Sequence, residues 1–469
     1  MNHPELCKSS PKSPPPQGIT TRLLRWRKRK IENFSLPPPQ QSRETGPRPL
    51  WRNRDYLLLV SGQAVSLAGS QFSLIAFPLL ALFISGSPAQ AGLIGSMRLL
   101  PYFLLSLPAG ALADRWDRRR VMQICDAGRA LSLASIPIAF ALGHLTLVQL
   151  YLVSLIEGTL FVFFDMAEVA CLPRVVAREQ VVAATVQNEM ARNMAFLLGP
   201  ALGGAIYSLG KFLPFLCDAI SYLFSVCSLS FIKADFQQER GIKPEKLWVE
   251  IRAGLRWILQ QPLLFFIAFT CMLTNLFFSG VALIVIVLAQ QMHAAPWTIG
   301  LVLATDGIGS MLGSLLVARL SKRLSFRVIA IICSWIWAVL WLSILLARNI
   351  LSLGIILALI YAVLMMYDLM QFSYRRMLIP DELQGRVNSV YRLISYSGGP
   401  LGLALAGLLL QFWGPYRTVA ILGVGVIATT LLITLNPHLR RARSLHEMAH
   451  EETQQAEILS GVDHISQDF

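Results

Sequence analysis

The sequence predicts an all-α membrane protein of about twelve transmembrane helices, arranged as two pseudo-symmetric six-helix bundles. Three observations predict it: long apolar runs, positive charge confined to alternate loops, and a repeat across the two halves. Of 469 residues, 54% are hydrophobic and only 14% charged, and the mean hydropathy is +0.55. Soluble domains are about a quarter charged, so this composition excludes an ordinary cytosolic fold. A net charge of +14 would suit a nucleic-acid partner. Its positives, however, lie in the N-terminal arm, in every second loop and past the last span, a pattern that reports topology instead.

Residues 1–54 read as a disordered, basic, Pro-rich cytoplasmic arm, with Pro14-Pro15-Pro16 and Pro37-Pro38-Pro39 and no stretch able to bury apolar area. Its segment Arg22-Leu-Leu-Arg25-Trp26-Arg27-Lys28-Arg29-Lys30 suits either an anionic membrane surface or a solvated tail. A bilayer core needs about 20 apolar helical residues per crossing. On that measure the spans of the first half are 56–85, 91–113, 121–142, 148–172, 186–209 and 213–232. Those of the second half are 263–291, 297–320, 326–347, 351–374, 389–412 and 416–435. The first bundle therefore covers 55–232 and the second 262–437, joined by a cytoplasmic linker, 233–261, and followed by a cytoplasmic tail, 438–469.

One set of loops carries Arg115, Arg118, Arg119, Arg120, then Arg174 and Arg178, then six further lysines and arginines between Lys233 and Arg256. The same side continues through Arg319, Lys322, Arg323, Arg327, then Arg375, Arg376, Arg386, then Arg440, Arg441, Arg443. The opposite loops hold Lys211, Arg348 and Arg417. The positive-inside rule places both termini in the cytoplasm of a cell with a plasma-membrane, multi-pass protein. The halves also repeat: Asn188, Arg192, Gly199 and Pro200 recur as Asn388, Arg392, Gly399 and Pro400. Such duplication puts any substrate site at the bundle interface near mid-membrane.

Ionisable groups deep in a span cost about 2.5–3.5 kcal/mol on insertion scales, so each asks for a reason. Glu157, Asp306 and Asp218 are the candidate proton or substrate site, since a carboxylate at such depth can exchange a proton near neutral pH. A helix-to-helix hydrogen bond or salt bridge is the alternative for each. Asp126, Arg129, Asp165, Arg192, Asp368 and Arg392 read as an inner charge network near the cytoplasmic ends, with Glu168 and Arg98 beside them. Of the seven cysteines, Cys125, Cys171, Cys217, Cys227, Cys271 and Cys333 lie in apolar segments with no CxxC spacing and read as small apolar packing residues. His446-Glu447-x-x-His450 has the spacing of a zinc protease helix, but the tail offers no third ligand, so a chance match and no metal are expected. No P-loop lysine motif and no Gly-x-Ser-x-Gly is present, and neither an enzyme nor a cofactor is expected.

The loop Gly110-x-Leu112-Ala113-Asp114-Arg115-x-x-Arg118-Arg119 is similar to the signature between spans two and three of the major facilitator superfamily. Gly199-Pro200-x-x-Gly203-Gly204 in span five resembles its antiporter motif. With Asp126-x-x-Arg129-Ala130, Phe163-Phe164-Asp165 and Asp218-Ala219-x-Ser221, residues 55 to 437 look closest to the drug-proton antiporter branch that includes macrolide efflux pumps and the enterobactin exporter. The resemblance implies a secondary transporter that exports an amphipathic organic compound by alternating access, with protons as coupling ion. It also implies a gating role for Gly110, Asp114, Arg115, Arg118 and Arg119, and a rocking role for Gly199, Pro200, Gly203 and Gly204. One departure is plain: neighbouring proton-coupled branches carry an arginine in span four, where this chain reads Val153-Ser-Leu-Ile-Glu157-Gly158. The expected partners are a small-molecule substrate, protons and lipid, with no nucleic acid and a monomeric carrier. A proton-independent uptake carrier and a non-transporting membrane sensor stay open as other readings.

Overall fold

An amide in hydrocarbon has no water to bond, so a chain this apolar must satisfy its backbone within helices. In the computed structural model, residues 49–113, 116–233, 247–321, 323–380 and 383–440 are described, and among them no strand occurs. The first-half helices are α1 (Arg54–Ser85), α2 (Pro88–Ala113), α3 (Arg118–Ala141), α4 (Leu147–Val175), α5 (Val181–Leu209) and α6 (Leu213–Phe231). A linker helix α7 (Leu247–Gln260) follows. The second half comprises α8 (Pro262–Phe278), α9 (Val281–Gln291), α10 (Pro296–Leu320), α11 (Phe326–Ser343), α12 (Ile350–Leu378), α13 (Gln384–Tyr396), α14 (Gly398–Leu435) and the short α15 (Pro437–Arg440).

Nine helical segments among the described residues are long and apolar enough to cross a membrane. One of them, Gln384–Leu435, holds two of the expected spans, which part at Gly414 with φ 72°. With α2 and α5, also helices of membrane-spanning length, the expected twelve are present.

Local chemistry sets the helix ends. Asn53 caps α1 by accepting from the Tyr56 amide at 3.2 Å, and Gly86 stops it in the left-handed conformation, φ 62°. Asp117 caps α3, Thr146 caps α4, and Asn349 with Ser352 forms a capping box on α12. Order begins ahead of the first span: Leu50 is buried, and Asn53 Nδ2 donates to the Val175 carbonyl at 2.8 Å.

Three features depart from the apolar pattern. The seventh span is two helices, α8 and α9, interrupted at Ser279-Gly280, and the eleventh is interrupted at Ser397. The expected polar linker contains α7, whose Gly254 packs against the backbone of Arg386 on α13. Breaks of this kind survive at membrane depth because protein surrounds them: a Cβ on Gly280 would strike Ala406, and one on Gly398 would strike the Met272 carbonyl.

Within the first half, α1 packs on α5 and α6, α2 on α4, and α3 on α4 and α6. In the second, α10 and α11 pack on α12, and α8 on α13 and α14. The halves meet where α5 crosses α10 and where α2 crosses α14. Both crossings tighten at the end away from the arginine-rich loops, through glycine pairs. A Cβ on Gly204 would lie 2.5 Å from the Pro296 carbonyl and 2.9 Å from Gly300 Cα, and one on Gly92 would lie 2.7 Å from the Leu403 carbonyl and 2.8 Å from Gly407 Cα. Glycine permits these backbone-on-backbone approaches.

Candidate functional site

The deepest polar group in the first half grows from four helices. Arg129 lies eleven residues into α3, about 17 Å along it, and Glu157 ten residues into α4, about 15 Å. They meet at mid-depth: Arg129 Nη2 donates to Glu157 Oε1 at 2.6 Å and Nε at 3.0 Å. Tyr222 on α6 donates its hydroxyl to the same oxygen at 2.9 Å, and Arg98 of α2 comes within 3.7 Å. Asp126 lies 3.6 Å from Arg129 Nη1, and the guanidinium stacks 4.0 Å above the Tyr222 ring. Asp126, Glu157 and Asp218 are fully buried, and Arg129 nearly so.

Small residues on α1 make room for this group. A Cβ on Gly69 would fall 2.7 Å from Asp218 Oδ1. Ser70, one residue on, is hydrogen-bonded to the Tyr222 hydroxyl at 2.7 Å. Asp218 accepts from Ser221 at 3.3 Å, while its Oδ2 and both oxygens of Asp126 lack a hydrogen-bond partner. Counting Arg98 and Arg129 against Asp126, Glu157 and Asp218 leaves one carboxylate in excess.

Sequence order groups Asp126 and Arg129 with Asp165, Arg192, Asp368 and Arg392 as one inner network. The structure divides that group, because the turn of α3 about its axis aims Arg129 and Asp126 at the bundle core. Nearer the arginine-rich end, Arg192 pairs with Glu168 at 3.3 Å and Glu189 at 3.9 Å. Tyr102 donates to Asp165 at 3.5 Å, and Arg392 crosses from the second half to bond the Tyr102 hydroxyl. Glu168 and Arg192 correspond through the repeat to Asp368 and Arg392, yet Asp368 is exposed and makes no ion pair among the described residues. The pseudo-symmetry is thus broken where Arg392 leaves its own half.

Asp306 stands apart from both groups. On α10, Leu301, Ile308, Leu312 and Leu315 are exposed, Gly307 abuts Leu197 of α5, and Gly309 and Gly313 abut α12. The remaining arc, which carries Asp306, turns inward between the two crossings. Ser310 donates to Asp306 Oδ1 at 3.0 Å, and Tyr361 packs at the next turn, its ring 5.2 Å from Phe278.

Of the motif residues, Gly199, Gly203 and Gly204 are buried contact points of α5 against Gln71, Phe72 and Gly300. Arg119 donates to the Ser230 carbonyl at 2.5 Å, tying the start of α3 to the end of α6. Gly110 lies on α2, and Arg118 opens α3. Asp114, Arg115, residues 1–48, much of the linker, and His446 and His450 in the tail lie outside the described residues. Sequence reasoning missed Tyr222, Ser70 and Tyr102. Two of these had a signal: Tyr222 follows Asp218 by four residues, and Ser66 and Ser70 share one face of α1.

Two helical halves crossing at glycine-lined seams, with buried charge at mid-depth, define a multi-span membrane carrier. The chain belongs to the major facilitator superfamily: a family model described as transmembrane secretion effector matches residues 49–466. It is 27% identical over 400 residues to the multidrug efflux pump Tap of Mycolicibacterium fortuitum, covering 82% of this chain and 96% of that protein. It is 24% identical over 373 residues to the enterobactin exporter EntS of Citrobacter koseri, covering 79% and 88%. In fold it resembles a bacterial homologue of the iron transporter ferroportin in its inward-facing state, with a TM-score of 0.66 at 17% identity over 82% of this chain and 98% of that one. The protein is a transporter, and transporters of this family are not enzymes.

Proposed function

We propose that the protein is a proton-coupled exporter of an amphipathic organic compound, working by alternating access as a monomer in the plasma membrane. The observation that carries this reading is the odd carboxylate among Asp126, Glu157 and Asp218, set against Arg98 and Arg129. An uncompensated charge at that depth is costly, so the group holds one exchangeable proton, shared among its members rather than owned by one. Gaining or losing it changes how tightly α3, α4 and α6 are drawn together. The arginine-rich end and both termini face the cytoplasm on this reading. Each proton entering then gains about 2.3 kcal/mol per 100 mV from the membrane potential.

Asp306, turned toward the bundle interface beside Tyr361, is the second candidate, for a proton or for a polar group of the cargo. Gly110, Asp114, Arg115, Arg118 and Arg119 act as the gate between bundles, and Gly199, Pro200, Gly203 and Gly204 form the seam about which they rock. The relatives' names, a multidrug pump and a siderophore exporter, support outward movement of a large amphipathic cargo. The test is a compound panel on cells with and without the protein, then transport of each hit into inverted vesicles under an imposed pH gradient. Cargo movement that follows the gradient and collapses with an uncoupler is expected. Movement indifferent to the gradient would refute proton coupling, and Asp114→Asn with unchanged turnover would remove the gate.

A further inference from the structure

A cavity of about 40 Å³ lies in the first bundle between α1, α3, α4 and α5. Its wall includes Ser66 and Ser70 of α1, Arg129 of α3, Asp165 and Glu168 of α4, and Arg192 of α5. It thus touches the deep charge group at Ser70 and Arg129, and the shallower group near the arginine-rich end at Asp165, Glu168 and Arg192. A space of this size has room for about two or three waters, and the polar side chains in its wall offer them partners. From Glu157 Oε1 a chain of hydrogen bonds leads to Tyr222 at 2.9 Å and on to Ser70 at 2.7 Å, and Ser70 is part of the cavity wall.

We infer that this cavity is a compartment for the coupling ion, and that the proton leaves the buried cluster through Tyr222 and Ser70 without entering the cleft between the bundles. The inference rests on the proton-coupled reading above. In the transfer the O–H bond of protonated Glu157 breaks and its proton joins the Tyr222 oxygen. The Tyr222 proton passes to Ser70 Oγ, and the Ser70 proton passes into the cavity. Both hydroxyls end as they began after turning, and one proton has moved with no other bond changed.

The charged surroundings favour exit in that direction. Glu157 is faced by Arg129 and Asp126 from α3, Arg98 from α2, and Asp218 and Tyr222 from α6. Arg129 donates to Glu157 twice and so favours the carboxylate once the proton has gone. Across the cavity, Asp165 and Glu168 can receive a proton, with Arg192 paired to Glu168. Cargo, by contrast, has to pass between the halves, where α5 crosses α10 and α2 crosses α14. Two routes in different places let one carrier move unlike cargoes against the same proton.

The test needs no cargo. Purified full-length protein in lipid is given a rapid pH step while infrared spectroscopy follows the carboxylic C=O band. The wild type, Tyr222→Phe, Ser70→Ala and Ala191→Leu are compared, the last filling the cavity from its α5 wall. The expected result is an unchanged band amplitude with the rate slowed about tenfold or more in each variant, a modest share of what positioned proton transfer contributes. Rates matching the wild type in Tyr222→Phe and Ala191→Leu would overturn the relay. No pH-dependent carboxyl band in the wild type would refute the proton-binding cluster itself, which separates the two failures. Ala191→Leu leaves every hydrogen bond of the chain in place, so loss of folding in Tyr222→Phe would not shield the idea.

Discussion

Replacing Arg129 by methionine takes the central cation out of the first bundle. Its Nη2 and Nε lie 2.6 and 3.0 Å from Glu157 Oε1, and the two side chains are 2% and 0% exposed. Removing one partner of a buried pair costs about 3–5 kcal/mol, because the other charge is left uncompensated. Arg98 remains 3.7 Å from Glu157 and offsets part of that loss, which points to the lower end, about 3 kcal/mol. At 1.4 kcal/mol per tenfold, the folded-to-unfolded ratio falls by about two powers of ten. Arg129→Met combined with Glu157→Leu removes both charges and recovers most of the stability, since apolar replacements of buried pairs are often neutral. Asp126, 3.6 Å from the same guanidinium, keeps recovery from being complete. Equilibrium unfolding in mixed micelles of mild detergent and dodecyl sulfate, on the wild type, both single variants and the double, gives the coupling energy. At least about 2 kcal/mol is expected; effects that add within about 0.5 kcal/mol would refute a direct pair.

Gly204→Val pushes the halves apart at the glycine seam, because even its Cβ would sit 2.5 Å from the Pro296 carbonyl. Spin labels at Leu209 and Trp297, in a cysteine-free background, should report a longer distance, and an unchanged one would count against the seam. Asp306→Asn keeps the Ser310 hydrogen bond and breaks no ion pair among the described residues, so stability should change by less than about 0.5 kcal/mol while transport falls. Equal transport by that variant would leave Asp306 with no part in proton or cargo binding. Asp117→Ala removes the acceptor for the Arg119 and Arg120 amides, at 3.0 and 3.3 Å, and should cost about 1 kcal/mol in the same unfolding assay.

Hydropathy and loop charge carried the helices, their order and the class of protein, since a bilayer leaves an apolar chain few ways to satisfy its amides. Hydropathy alone put the starts of α1, α3, α4 and α12 within a few residues of the caps Asn53, Asp117, Thr146 and Asn349 that the structure shows. The interruptions at Ser279-Gly280 and Ser397 were not read, because glycine and proline such as Gly280 and Gly398-Gly399-Pro400 also occur in transmembrane helices that do not break, and only the neighbouring helix supports the broken turn. The buried acids Glu157, Asp218 and Asp126 stood out as costly residues in apolar runs, but their partners did not.

Which way a transmembrane helix turns about its axis is not written in a segment that is apolar on every side. Arg129 could therefore not be aimed, and Asp165 could not be separated from Asp126. Packing decided those questions: Gly69 brought α1 against Asp218, and Tyr222 joined Glu157 to Ser70. The sequence pattern by itself, through apolar runs, loop charge and the internal repeat, determined that this chain lies in lipid as paired helical halves. The tertiary fold alone decided which charges meet, because a buried ion pair depends on the relative rotation of helices, and close contact between side chains sets that rotation.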